Sequence, residues 1–141
     1  MIDWKPGVAY IASPYSHPDA EVRERRWRDV MEATAILVQE GNHVYSPIAH
    51  WHSIATIFKL PKGWGFWGAV DKEIIERCDR IWVYMMSGWD ESEGIFEELK
   101  IARKAGLEIE GFRMLHGNLE FELSTEVLRE WFDKILHDRT T

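Results

Sequence analysis

The sequence is short of thiols, of long apolar runs and of positive charge, and each shortage excludes a class of protein. One cysteine, Cys78, stands among 141 residues. It can close no internal disulfide and cannot build a thiolate-rich metal site, so core packing is its expected role. No apolar run approaches the roughly 20 residues needed to cross a bilayer, so no membrane association is expected. The opening Met1 to Gly7 carries Asp3 and Trp4 and lacks the basic start and apolar stretch of a secretory signal, which makes the cytoplasm the expected location. The net charge of −7 argues against binding a nucleic-acid polymer, whose affinity comes from Lys and Arg neutralising phosphates. A single small nucleotide needs only a local cluster of charge.

What is present suits one globular domain spanning 1–141, since a chain of this size buries roughly two thirds of the surface its unfolded form exposes. Val8-Ala9-Tyr10-Ile11-Ala12 is an apolar run ended by Ser13-Pro14, which predicts a buried strand. From Glu21 to Glu40 apolar residues recur at helical spacing until Gly41, and His43 to Ser46 then reads as a second strand closed by Pro47. Ile48 to Phe58 reads as helix, Lys59 to Gly65 as a mobile loop, Phe66 to Arg77 as helix and Arg80 to Met85 as a third buried strand. Ser92 caps a further predicted helix that Gly106 stops, and a weaker strand covers Leu107 to Glu110. His116-Gly117-Asn118 reads as a turn, Thr125 as the opening of a last helix, and residues 138–141 as frayed. Alternation of this kind predicts an α/β fold with a central parallel sheet of about five strands wrapped by helices.

In an open parallel sheet, ligands bind beyond the carboxyl ends of the strands, which directs attention to the segments Ser13 to His17, Ser46 to His52 and Ser87 to Glu98. Ser92-Glu93-Gly94 opens a helix whose free N–H groups and positive dipole end suit a phosphate, although a serine there also serves as a plain cap. Glu98 falls on the apolar stripe of that helix, with Ile95 and Ala102, whereas Glu93, Glu97 and Lys100 read as its solvated face. Asp71 shares a helical face with Trp67 and Ile75. Two carboxylates converging on a sugar ring are what glycosyl transfer requires, one to attack the anomeric carbon and one to handle a proton. His50 and His52 raise zinc as an alternative, but two histidines at that spacing on a helix diverge, so no metal and no cofactor are expected. Eight tryptophans, among them Trp51, Trp64 and Trp67, supply either the wall of a flat-ligand pocket or packing at a core or subunit interface.

The runs Tyr10-Ile11-Ala12-Ser13-Pro14-Tyr15, Tyr45-Ser46-Pro47-Ile48-Ala49-His50 and Cys78-Asp79, with the spaced pattern Ser92-x-Gly94-x-x-x-Glu98-x-x-x-Ala102, resemble the uncharacterised-function family 1937. That family looks like a branch of the nucleoside 2-deoxyribosyltransferase-like superfamily. The resemblance covers about Val8 to Ile109. It implies a flavodoxin-like or Rossmann-like three-layer sandwich and a homodimer or other homo-oligomer whose neighbouring subunit completes the site. It also implies Glu98 as nucleophile, Asp71 as its catalytic partner, and Tyr10, Ser13, Ser46, His50, Ser92 and Gly94 around the substrate. Serine at position 92, where free-nucleoside transferases tend to carry aspartate, points to a nucleotide hydrolase. Those hydrolases carry an arginine soon after the first strand. Here Ser16-His17 stand instead, and Arg23, Arg25 and Arg26 are the candidates to replace it. The expected activity is therefore release of the base from a (deoxy)nucleoside 5′-monophosphate. The alternatives are a deoxyribosyltransferase and a non-catalytic nucleotide-sensing module.

Overall fold

The computed structural model describes residues 1–140 and has a mixed α/β fold. Its elements in chain order are β1 (Val8–Ala12), α1 (Ala20–Gln39), β2 (His43–Tyr45), α2 (Pro47–Ile57), α3 (Trp64–Ile75), β3 (Arg80–Tyr84), α4 (Glu93–Ala105), β4 (Glu108–Leu115), β5 (Asn118–Glu120) and α5 (Glu122–Thr140). The sheet order is β2-β1-β3-β4-β5. β1 pairs in parallel with β2 and β3, and β3 with β4.

Side chains alternate between the two faces of the central strands, as the strand period of two requires. Ala9 and Ile11 meet Val30, Ala33 and Leu37 of α1 on one face. Tyr10 and Ala12 face the other way, into a core with Ile75 of α3, Ile95 and Leu99 of α4, and Leu128 and Phe132 of α5. With apolar groups on both faces, β1 has no alternating polar positions, which is why it reads as a continuous hydrophobic run.

Three expectations change in the C-terminal part. The fifth strand is antiparallel rather than parallel, because His116 and Gly117 form a two-residue loop with φ of 51° and 79° that reverses the chain and pairs Leu115 with Asn118. β4 runs on to Leu115 instead of ending at Glu110. The last helix opens at Glu122, not Thr125, because the Glu120 carboxylate accepts from the N–H groups of Leu123 at 2.7 Å and Ser124 at 2.9 Å. Thr125 is instead a strut, accepting from the Gly111 N–H at 3.1 Å. α5 packs so closely there that a Cβ on Gly111 would lie 2.6 Å from Met85 Sδ and 3.2 Å from Leu128 Cδ2. The predicted fraying covers residues 138–140, which are helical, and Thr141, which lies outside the described residues. Among the described residues no helix is long and apolar enough to cross a membrane.

Candidate active site

A cavity of about 790 Å3 opens beside the carboxyl end of β1, walled by the loop leaving that strand, by α2 and α3, and by the start of α4. That volume lies within the range of roughly 300–1,000 Å3 typical of small-molecule sites. Glu98 and Asp71 both line it, although they are only 5% and 9% exposed. Glu98 is buried because it shares the inward stripe of α4 with Ile95, Leu99 and Ala102. Asp71 follows Trp67 by one turn of α3.

Beneath them Tyr10, fully buried on β1, donates its hydroxyl hydrogen to Glu98 Oε2. Burial raises the Asp71 carboxyl from the usual 3.8 to about 6, opposed by the Tyr10 hydroxyl nearby. Burial also raises Glu98 above its usual value, helped by the negative charge of Asp71 and opposed by the Tyr10 hydrogen bond. Tyr10 is itself held well above its ordinary value, first by burial and then by the two carboxylates. Two like charges desolvated together resist ionising together, so the pair holds a proton that one member can give away.

The start of α4 forms a second, anion-seeking part of the wall. Ser92 caps the helix by accepting from the Ile95 N–H at 3.2 Å, and only Ser92 Oγ lies within 4 Å of where a Gly94 Cβ would be. The Ser13 hydroxyl also lines the cavity, is 7% exposed and has no hydrogen-bond partner among the described residues. Arg26 reaches the same region from α1, donating to the Ser16 carbonyl at 3.0 Å. It passes so close over Gly88 (φ 93°) that a Cβ there would lie 2.4 Å from its Nη2. Arg23 lines the cavity too, whereas Arg25 is exposed and does not. Glu93 is paired away with Arg139 at 2.8 Å.

The aromatic wall comes from Trp51, Trp64 and Trp67. Trp51 and Trp67 lie 5.2 Å apart, and their indole N–H groups are anchored on the Tyr45 hydroxyl and the Pro61 carbonyl. The cavity-facing residues of α2, namely Ile48, Trp51, His52, Ala55 and Thr56, recur at helical spacing. His50 falls off that stripe. It is exposed, with its ring against Trp51 at 4.7 Å, and it does not line the cavity. Ser46 is likewise outside, buried as the α2 cap with the Ala49 N–H at 3.1 Å. Tyr15 and His52, which fall in the strand-end segments Ser13 to His17 and Ser46 to His52, do line the cavity. The signal available was the apolar stripe of α2, which includes His52 and excludes His50. Among the described residues no group of three His, Cys, Asp or Glu stands where it could hold a metal ion.

A family model described as a domain of unknown function, DUF1937, matches residues 7–114. The chain belongs to this family. No curated protein matches the sequence. The DUF1937 segment contains Tyr10, Asp71, Ser92 and Glu98, while β5 and α5 lie beyond its end.

Proposed function

We propose that this DUF1937 protein is an N-glycosidase that releases the base from a (deoxy)nucleoside 5′-monophosphate, with Glu98 as nucleophile. The observation that carries the reading is the buried Tyr10–Glu98 hydrogen bond with Asp71 beside it on one cavity. Glu98 attacks the anomeric carbon as the bond to the base breaks. The departing nitrogen takes the bonding electron pair, and Asp71 supplies its proton. Tyr10 steers the ionised state toward Glu98 by donating to it, which leaves the proton for Asp71.

The anion-seeking wall supports a phosphate on the substrate. The free N–H groups at the start of α4 and the unpartnered Ser13 hydroxyl offer donors, and Arg26 offers charge. Trp51, Trp64 and Trp67 suit a flat base. The strand order 2-1-3-4 with cores on both faces fits a flavodoxin-like three-layer sandwich, and with it membership of the nucleoside 2-deoxyribosyltransferase-like superfamily.

The test is incubation with a panel of ribo- and deoxynucleosides and their monophosphates, with released base followed by chromatography. The reading expects release with water as sole acceptor and a preference for monophosphates. A strict need for a second base would make the protein a transferase, and tight nucleotide binding without release would make it a sensing module.

A further inference from the structure

Two side chains of the cavity wall are engaged with each other and not used by that chemistry. Tyr15, in the loop leaving β1, and His52, on α2, both line the cavity. His52 is 7% exposed and stacked on Trp27 at 4.5 Å. Both its ring nitrogens are engaged: Nδ1 lies 2.6 Å from the Tyr15 hydroxyl and Nε2 lies 3.0 Å from Glu24 Oε2. Glu24, on α1, also pairs with Arg28 and reaches solvent.

The direction of these bonds follows from counting donors. A carboxylate only accepts, so the ring hydrogen belongs on Nε2, and the lone pair on Nδ1 takes the Tyr15 O–H. The Tyr15 hydrogen is therefore committed to His52, and its oxygen meets the cavity as an acceptor. Burial raises the Tyr15 hydroxyl above its ordinary value, and the positive charge of Arg23 beside it opposes that shift. The chain of groups is set to draw a proton out of the cavity and to leave an imidazolium facing Glu24.

We propose that Tyr15, His52 and Glu24 form a relay that takes the proton of the attacking water in the second half of the reaction, an inference that rests on the glycosidase reading. The water oxygen bonds to the anomeric carbon as the ester bond to Glu98 breaks and returns its electron pair to the Glu98 carboxylate. The water proton passes to the Tyr15 oxygen while the Tyr15 hydrogen passes to His52 Nδ1. Solvent later takes that proton from the imidazolium. Tyr15 is the catalytic residue of the three, and His52 and Glu24 position and charge it.

The experiment is rapid-quench base release from 2′-deoxynucleoside 5′-monophosphates by Tyr15→Phe and His52→Gln, with and without azide, an acceptor that has no proton to lose. A stoichiometric burst of base is expected, followed by turnover reduced about 10²-fold or more, and azide restores turnover. The burst itself reports a folded site. Loss of burst and turnover together without azide rescue, or normal turnover in either variant, overturns the relay while the glycosidase reading stands. A wild type that releases no base overturns both. Ring 15N NMR of the wild-type protein in mildly alkaline buffer gives a readout independent of activity. The relay requires the hydrogen of His52 on Nε2, and finding it on Nδ1 refutes the relay.

Discussion

The Tyr10 hydroxyl donates to Glu98 Oε2 across 88 residues of sequence, joining the buried strand β1 to the inward stripe of α4. It singles out one carboxylate of α4 for chemistry, since the neighbouring Glu97 points outward to Lys100 at 2.9 Å. Glu98→Ala is expected to abolish base release by several orders of magnitude, because a covalent route has no substitute for its nucleophile. Glu97→Ala is expected to be mild. Base release by the two variants, with circular dichroism to verify folding, checks the assignment, and a dead Glu97 variant beside an active Glu98 variant would refute it.

Tyr10→Phe removes the hydroxyl that donates to Glu98 while keeping the ring in its core position. Burial and the Asp71 charge then act on Glu98 unopposed, which raises its carboxyl further. The hydrogen bond lost involves a charged acceptor and is worth about 1.5–3 kcal/mol. A fall of about 10- to 100-fold in kcat is expected, and the acidic limb of the pH–rate profile should move to higher pH. An unchanged limb would show that Tyr10 only packs.

Asp71 ties the site to stability. Its carboxyl is raised from 3.8 to about 6, so the folded state holds the proton more tightly than the unfolded state. The resulting stabilisation is complete below about pH 4 and is lost as pH rises through about 6, a difference of about 3 kcal/mol. Asp71→Asn keeps a neutral group in place, so it should be more stable than wild type at neutral pH and should show a shallower dependence over that interval, the part due to Glu98 remaining. Urea denaturation across the range measures this, and parallel curves for the two proteins would contradict it.

The readable parts of the fold are those whose signals are local. β1 and β3 show as apolar runs and α4 as a stripe between Ser92 and Gly106, so the placement of Glu98 on an inward face followed from spacing alone. The contact of Glu98 with Tyr10 did not, because no local pattern records a meeting 88 residues apart. The region after Gly111 was opaque for a different reason: its helix starts on a side-chain cap from Glu120, and Thr125 resembles a cap while bonding to Gly111. The strand-end segment Ser46 to His52 holds two histidines, and the family resemblance points to His50. The stripe of α2 turns His52 inward instead, because residues two apart on a helix lie on different faces.

Assembly follows from what α2 and α3 leave uncovered. Ile57 and Phe58, at the end of α2, are 70% and 72% exposed, and Ile54 of α2 and Phe66 of α3 are exposed as well. The tryptophans, by contrast, mostly pack within the chain. A homodimer burying this patch is expected, with Phe58→Glu shifting it to monomer. Light scattering at micromolar concentration decides, and a wild-type monomer of full activity would remove the idea.

The last prediction separates two roles of Ser92. As a helix cap, serine is replaceable by aspartate, which accepts the same Ile95 N–H and suits the positive end of the helix dipole, so Ser92→Asp should fold with unchanged or higher stability. As part of a phosphate cradle, it is not replaceable. A carboxylate at that point repels a phosphate dianion in a partly desolvated wall, where Coulomb interactions at about 4 Å are worth several kcal/mol, and Arg26 offsets only part of it. The expected outcome is a fall in kcat/KM for monophosphates of about 10²-fold relative to the corresponding free nucleosides, with thermal stability preserved. The specificity ratio is the decisive quantity. An equal loss on both substrate kinds would mean that Ser92 does no more than hold the helix, and that the phosphate of the substrate is bound elsewhere in the cavity.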